Sequence, residues 1–394
     1  MPSYKYSVYN SAKHGRGTNR RAGARRGEYI NPARFVAAAK PAPANETTAR
    51  HRFADFDIDP LLKANLAAKG FVTPSPIQDQ TIPLALDGHD VIGLANTGTG
   101  KTAAFAVPVL QALHSRQQAK ALIVAPTREL AQQIEQECRS IGKGGNFSGA
   151  LLIGGTSMGP QLRDLRNRPR LVIGTPGRIK DHLERGTLKL EQFDIAVLDE
   201  VDRMLDMGFV NDVTSILNRL APQRQSFFFS ATMGPRVQGL IGTFSKDPRT
   251  VSVTSGESSD HVNQDVVRYS GTHDKIDKLH DILIKEEVAK VIVFDETQRS
   301  VERLNKELIA RGFSADSIHG GKSQGQRKRA LQSFKTSQTT VLVATDVAAR
   351  GIDVADITHV INYSQPQSYQ DYVHRIGRAG RAGRVGHALT FVTG

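Results

Sequence analysis

The sequence holds one cysteine, Cys138, and no tryptophan. A lone cysteine can close no intramolecular disulfide and build no cysteine zinc site, which excludes disulfide scaffolds and cysteine-ligated zinc folds. Nothing beside Cys138 suggests an activated thiolate, so it reads as an inert helix position. No apolar run approaches the roughly 18 residues of a membrane span, and the N-terminus lacks the apolar stretch of a secretory signal. A cytoplasmic protein away from membranes is the expectation. Aromatics make up only 6% of the chain, which argues against a stacking platform that reads bases. Acids are scarce at the start: residues 1–52 hold eleven Lys/Arg against Glu28 and Glu46, and so +9 of the net +13.

That first stretch is Gly, Arg, Asn, Pro and Ala without helical or strand periodicity. It has too little apolar surface to offset its ordering entropy, so residues 1–52 are expected to be a mostly disordered basic tail. Arginine outweighs lysine there, and two Arg-Gly pairs occur (Arg16-Gly17 and Arg26-Gly27). The segment reads as an arm that holds polyanions through phosphates. A solubilising tail is the plainer alternative.

A length of 394 residues suits two domains and a tail. From Phe53 onward, apolar runs at Val91–Leu94, Ala121–Ala125, Leu171–Gly174, Ile195–Leu198 and Ser226–Phe229 alternate with amphipathic stretches such as Glu129–Ile141. That alternation predicts βαβ units and a parallel sheet covered on both faces. The polar TSGESSD run interrupts it, and the pattern resumes with strands at Val291–Phe294, Val341–Ala344, Val360–Asn362 and Ala388–Val392. The reading is an α/β chain: one domain over 53–254, a linker at 255–261 and a second domain over 262–394.

The sharpest motif is Ala95-Asn96-Thr97-Gly98-Thr99-Gly100-Lys101-Thr102, placed after a strand and opening a helix. A phosphate-binding loop requires that placement, because backbone amides and the helix N-terminus then face the phosphates. Lys101 would reach the terminal phosphate oxygens, and the Thr102 hydroxyl would ligate Mg²⁺. The general pattern has glycine where Ala95 stands. About one hundred residues later, Asp199-Glu200-Val201-Asp202 follows the strand Ile195–Leu198. Asp199 is placed to act on the metal and Glu200 to orient the attacking water.

With these two motifs in view, the chain from Phe53 to Val392 resembles the DEAD-box ATP-dependent RNA helicases of bacterial type, with DEVD in place of the usual tetrapeptide. The resemblance implies two tandem RecA-like domains. Gly70 to Gln78 resembles the family's Q motif, which implies that Gln78 reads the adenine edge and favours ATP; Phe71 is a candidate to stack near the base, and Phe53 resembles the upstream aromatic. Pro126-Thr127-Arg128, Gly154-Gly155 and Thr175-Pro176-Gly177-Arg178 resemble elements that grip the RNA backbone. Ser230 and Thr232 resemble the coupling motif, with hydroxyls expected on Asp202.

In the second half, Gln324 and Arg327 resemble the Q-x-x-R element, which implies an RNA contact for Arg327. Thr345 and Asp353 resemble motif V positions at the RNA backbone and the ATP ribose. His374, Arg375, Arg378 and Arg381 resemble motif VI. The resemblance makes Arg378 and Arg381 arginine fingers supplied across the cleft, with Arg375 the most structural of the three. Such fingers contribute roughly 10³ to 10⁵ in rate.

Val201 departs from the family's alanine, and its two extra methyls are expected near the docking face, where packing would tune coupling. The implied function is RNA-stimulated ATP hydrolysis that remodels short duplexes or RNA–protein complexes, by a monomer acting on RNA without sequence preference. Ribosomal precursors and messenger decay are candidate settings. An ATP-gated clamp without turnover would need a crippled site, yet Glu200, Arg378 and Arg381 are present. A DNA helicase would fit the Q motif and Pro126–Ala131 poorly.

Overall fold

Along β5 (Ile195–Leu198), Ile195 and Val197 enter one apolar cluster while Ala196 and Leu198 enter another on the opposite face. Strand side chains alternate sides, so a strand apolar at every position must lie inside a sheet covered on both faces. The computed structural model describes residues 29–39, 49–96, 98–145, 148–253, 261–349, 354, 356–380 and 385–394. Among them are two parallel sheets flanked by helices, as the alternation predicts.

The first sheet contains β1 (Val91–Ala95), β2 (Ala121–Val124), β3 (Gly149–Leu152), β4 (Leu171–Gly174), β5, β6 (Gln225–Ser230) and β7 (Arg249–Val253) in the order β3-β4-β2-β5-β6-β1-β7. The second contains β8 (Val262–Tyr269), β9 (Val291–Phe294), β10 (Ala315–Ile318), β11 (Val341–Ala344), β12 (His359–Asn362) and β13 (Gly386–Thr393) in the order β10-β11-β9-β12-β13-β8. All named pairings are parallel. Open parallel sheets place their functional loops at the carboxyl ends of the strands. The phosphate loop follows β1 and the acidic tetrapeptide follows β5 by that rule.

The expected linker lies outside the described residues except for His261, whose carbonyl accepts from Gly386 N at 3.0 Å and so ties it to the second sheet. The tail needs a local correction. Residues 1–28 and 40–48 lie outside the described residues, but 29–39 are placed against the second sheet. Asn31 caps a short 3₁₀ turn (Pro32–Phe35), Ile30 and Phe35 are buried, and Ala37 pairs antiparallel with Gln264 of β8. Two apolar side chains and one strand edge give this short stretch the partners that composition alone did not reveal.

Val201 is the second correction. It opens the short helix Val201–Asp206 and is fully buried in the first domain's own core, beside Leu198 and Met204 in the same cluster, rather than on the docking face. Cys138 is buried on the helix Arg128–Ile141, and burial pushes its thiol far up, consistent with an inert position. No helix among the described residues is long and apolar enough to cross a membrane.

Candidate nucleotide site between the two sheets

Between β1 and the helix Lys101–Ser115 the chain turns through Gly98 and Gly100, at φ +86° and +89°. A side chain at Gly100 would also collide with the Gln78 amide, so glycine is required there twice over. Gln78 lies in the first turn of the helix Pro76–Leu86. Its Oε1 accepts from Ser75 N at 2.8 Å and its Nε2 donates to Gly100 O at 3.0 Å. One donor and one acceptor of the amide remain, the pair an adenine edge needs. Phe71 stands beside it, braced edge-on at 5.4 Å by the buried Phe53. Lys101 is buried and donates to Ala95 O at 2.8 Å; the Thr99 hydroxyl donates to Asn96 O at 2.8 Å. Thr97 lies outside the described residues.

β5 ends in the acidic group. Burial pushes the Asp199 carboxyl up to about 6, with Lys101 opposing and Glu200 reinforcing the shift. Glu200 holds a left-handed backbone at φ +53°, a strained state for a side-chain-bearing residue. Its buried Oε2 has no hydrogen bond within the protein and lies 3.4 Å from Arg203 Nη1. Asp202 is fully engaged: its Oδ2 accepts from Thr232 Oγ1 at 3.0 Å and Thr232 N at 2.9 Å. The Ser230 hydroxyl does not bond the Asp202 carboxylate; it accepts from Asp202 N at 3.3 Å and donates to Thr232 O at 2.7 Å. The link between tetrapeptide and coupling motif therefore runs through Thr232 and the backbone.

A cavity of about 410 Å³ is lined by Gln78, Lys101, Thr102, Asp199 and Glu200 of the first domain, and by Arg378 of the second. A larger hollow of about 760 Å³ lies wholly on first-domain residues such as Asp87 and Arg224, with no phosphate loop, and has no bearing on the chemistry. Lys335, at the end of the helix Gln324–Lys335, also reaches the smaller cavity. Sequence reasoning missed it because an exposed helix-terminal lysine has no motif around it.

Arg375 and Arg378 differ in role. Arg375 makes a bidentate pair with Asp346, at 2.5 and 2.7 Å, and donates to Ser364 O at 2.7 Å, so it locks the second domain internally. His374, on the same helix (Tyr369–Ile376), shares a small crevice with Arg378 and with Arg203 of the first domain. Thr345 donates its N–H to Ile318 O at 3.3 Å and stands before Asp346 at the β11 end. Arg381 and Asp353 lie outside the described residues.

The elements expected at the RNA backbone fall together on the first domain. The Arg128 guanidinium lies over Gly154-Gly155, where any side chain on Gly155 would strike it. Arg178 Nη1 contacts Thr156 O at 3.4 Å, and Thr175 precedes the helix Pro176–Glu184, with Gly177 exposed in its first turn. Pro126 is buried, and Thr127 caps the Arg128 helix by accepting from Leu130 N at 3.3 Å. Arg327, which the resemblance assigns to RNA, lies at the meeting of the two domains. It is buried, with Nη2 2.7 Å from Glu129 Oε2, and Gln324 beside it donates to Gln132 Oε1 at 3.1 Å. The start of its helix meets the Arg128 helix, so the arginine takes part in an interdomain ion pair, with its Nε left without a hydrogen-bond partner.

A phosphate loop and acidic tetrapeptide on one parallel sheet, completed by an arginine from a second, define a two-domain NTPase of RecA-like architecture. The comparisons agree. The DEAD/DEAH box helicase model matches residues 75–240 and the helicase conserved C-terminal domain matches 274–383. The chain belongs to the DEAD-box helicase family. It is 44% identical over 316 residues to the ATP-dependent RNA helicase CshA of Limosilactobacillus reuteri, covering 79% of this chain and 63% of that relative's length. Among solved structures, it resembles Mss116p bound to ssRNA and AMP-PNP at TM-score 0.78 and 29% identity, over 90% of this chain and 77% of that one. S. cerevisiae Dbp5 bound to RNA and ADP BeF3 gives 0.77 at 28% identity, over 87% and 90%. A DEAD box protein of Methanococcus jannaschii is 37% identical over 87% and 93%, yet scores 0.52.

Proposed function

We propose that this chain is an RNA-stimulated ATPase that remodels short RNA duplexes or RNA–protein complexes, hydrolysing ATP in the cleft between its domains. The observation that carries this reading is Arg378 on the same cavity as Lys101, Thr102, Asp199 and Glu200. Each half of the site lacks what the other supplies. Lys101 binds phosphate oxygens, Glu200 orients the attacking water, and Arg378, with Arg381, offsets charge that develops as the terminal phosphoryl transfers. The spare donor and acceptor of Gln78 favour adenine, with Phe71 beside it and Asp353 of motif V at the ribose.

Thr102 and Asp199 would hold Mg²⁺, and the fit rests on a buried carboxyl pushed up by desolvation, which a cation would relieve. Bound there, the ion neutralises phosphate charge. RNA is gripped by its backbone: Arg128, Gly154-Gly155 and Arg178 converge on one face, the family resemblance adds Thr345 of the second domain, and few aromatics are available to read bases. The relatives solved with RNA support this choice. His374, Asp202 and Thr232 couple nucleotide state to that face, and a cytoplasmic monomer acting in ribosomal-precursor or messenger metabolism fits the same reading.

The test is phosphate release from ATP with and without single-stranded RNA, run beside unwinding of matched RNA and DNA duplexes. Stimulated release and RNA preference are expected. RNA binding without release would favour a clamp, and a DNA preference would overturn the assignment.

A further inference from the structure

The described N-terminal segment is fastened to both halves of the ATP site. Its first part lies on the second domain. Phe35 is fully buried, with its ring 4.7 Å from that of Tyr372, and the Arg34 guanidinium sits 3.6 Å over Tyr369. Ala37 N donates to Gln264 O at 3.0 Å and Ala37 O accepts from Gln264 N at 2.7 Å. Gln264 in turn accepts from Tyr372 Oη at 2.9 Å, and Ala39 N donates to Asn263 Oδ1 at 2.8 Å. Strap, edge strand and the helix Tyr369–Ile376 form one packed unit. That helix holds His374 and Arg375 and leads into Arg378, whose N–H donates to Arg375 O at 3.2 Å. Ten positions after Ala39 the described chain resumes on the first domain. There Arg50 N and His51 N donate to the Asp79 carboxylate at 2.8 and 3.1 Å, next to Gln78.

We propose that Ile30–Ala39 is a built-in strap of the second domain, and that Arg34 and Phe35 are positioning residues for ATP hydrolysis. The helix they cover has eight residues, too short to hold its place without tertiary packing. Two of its side chains meet the strap, Tyr369 under the Arg34 guanidinium and Tyr372 against the Phe35 ring, while Tyr372 Oη is held by Gln264 of the second sheet. Without Phe35 the buried Tyr372 loses the ring packed against it, the helix shifts or frays, and Arg378 loses its bearing on the cavity. Neither strap residue lines the nucleotide cavity, so the effect falls on turnover rather than on nucleotide binding. The inference rests on the ATPase reading above and adds a segment outside the family's matched motifs to its machinery.

The test uses the full chain and its Phe35→Ala, Phe35→Leu and Arg34→Ala variants, with kcat and KM for ATP measured at saturating RNA. Misplacing a catalytic group by about 1 Å costs up to roughly a hundredfold, so Phe35→Ala is expected to lose about ten- to a hundredfold in kcat. KM should change little, Phe35→Leu should recover part of the rate, and Arg34→Ala should fall between them and wild type. Hydrogen exchange should rise in 369–378 for Phe35→Ala and not at the phosphate loop. Unchanged kcat in both alanine variants overturns the strap while leaving the ATPase reading intact. A wild-type chain without RNA-stimulated turnover overturns both.

Discussion

Arg327 Nη2 stands 2.7 Å from Glu129 Oε2, and this ion pair joins the two domains at a point where both side chains are buried. In an opened molecule both charges would be in water, so the pair acts on closure rather than on the folding of either domain. Removing one partner of a buried charge pair costs roughly 2–5 kcal/mol, largely through the charge left behind. Glu129→Gln should therefore lower RNA-stimulated turnover sharply at limiting RNA, with ATP binding to the first domain retained. A double-mutant cycle with Arg327→Gln should show coupling; additive effects would mean that the pair does not form during turnover.

Gly100 faces two demands at once, a φ of +89° and the Gln78 amide against its Cα. Gly100→Ala should cost on the order of 1–3 kcal/mol of local strain and displace Gln78. Weaker ATP binding and poorer discrimination against GTP are expected, read by titration with fluorescent nucleotides. Unaltered affinity for both would show that Gln78 does not take part in base recognition.

Val201 is the residue where composition misleads most. Its burial in the first domain's core predicts that Val201→Ala leaves a cavity costing roughly 1–3 kcal/mol. The denaturation midpoint should fall while kcat and the RNA dependence at moderate temperature hold. A change in coupling without a change in stability would contradict this placement.

His359 stacks on His387, with ring centroids 4.8 Å apart, and burial followed by the His387 charge pulls its pKa from 6.5 down to about 4. Between those values the unfolded chain binds more protons than the folded one. The contribution is complete above about pH 6.5, declines as pH falls, and is gone near pH 4. Melting temperatures taken across that range should fall with acid, and His359→Asn should flatten the slope. Parallel curves for the two proteins would rule this origin out.

The strands show where the sequence could be read and where it could not. Every interior strand, from β1 and β5 to β9 and β12, carries an apolar run in the sequence, because a strand covered on both faces buries most of its side chains, and the few polar ones, such as Ser230 and Asn362, are buried too. The four that do not stand out, β3, β7, β8 and β10, are the four sheet edges. Edge strands keep a solvated face, so Arg249–Val253 or Ala315–Ile318 looks like a loop. The site divides similarly. Lys101, Thr102 and Asp199 stand out in the sequence because phosphate chemistry fixes residue type and spacing together, whereas Arg378 enters only through the family resemblance. Lys335, the Arg327–Glu129 pair and the Phe35 strap do not stand out, because each depends on surfaces meeting across the fold, far apart in the chain.

The central claim is that one ATP site is shared between two domains, and Arg378→Ala tests it most directly. RNA-stimulated turnover should fall by roughly 10³ or more, as for other arginine fingers, while ATP binding to the first domain changes only a few-fold. Turnover that survives the substitution at saturating RNA and ATP would contradict the shared site.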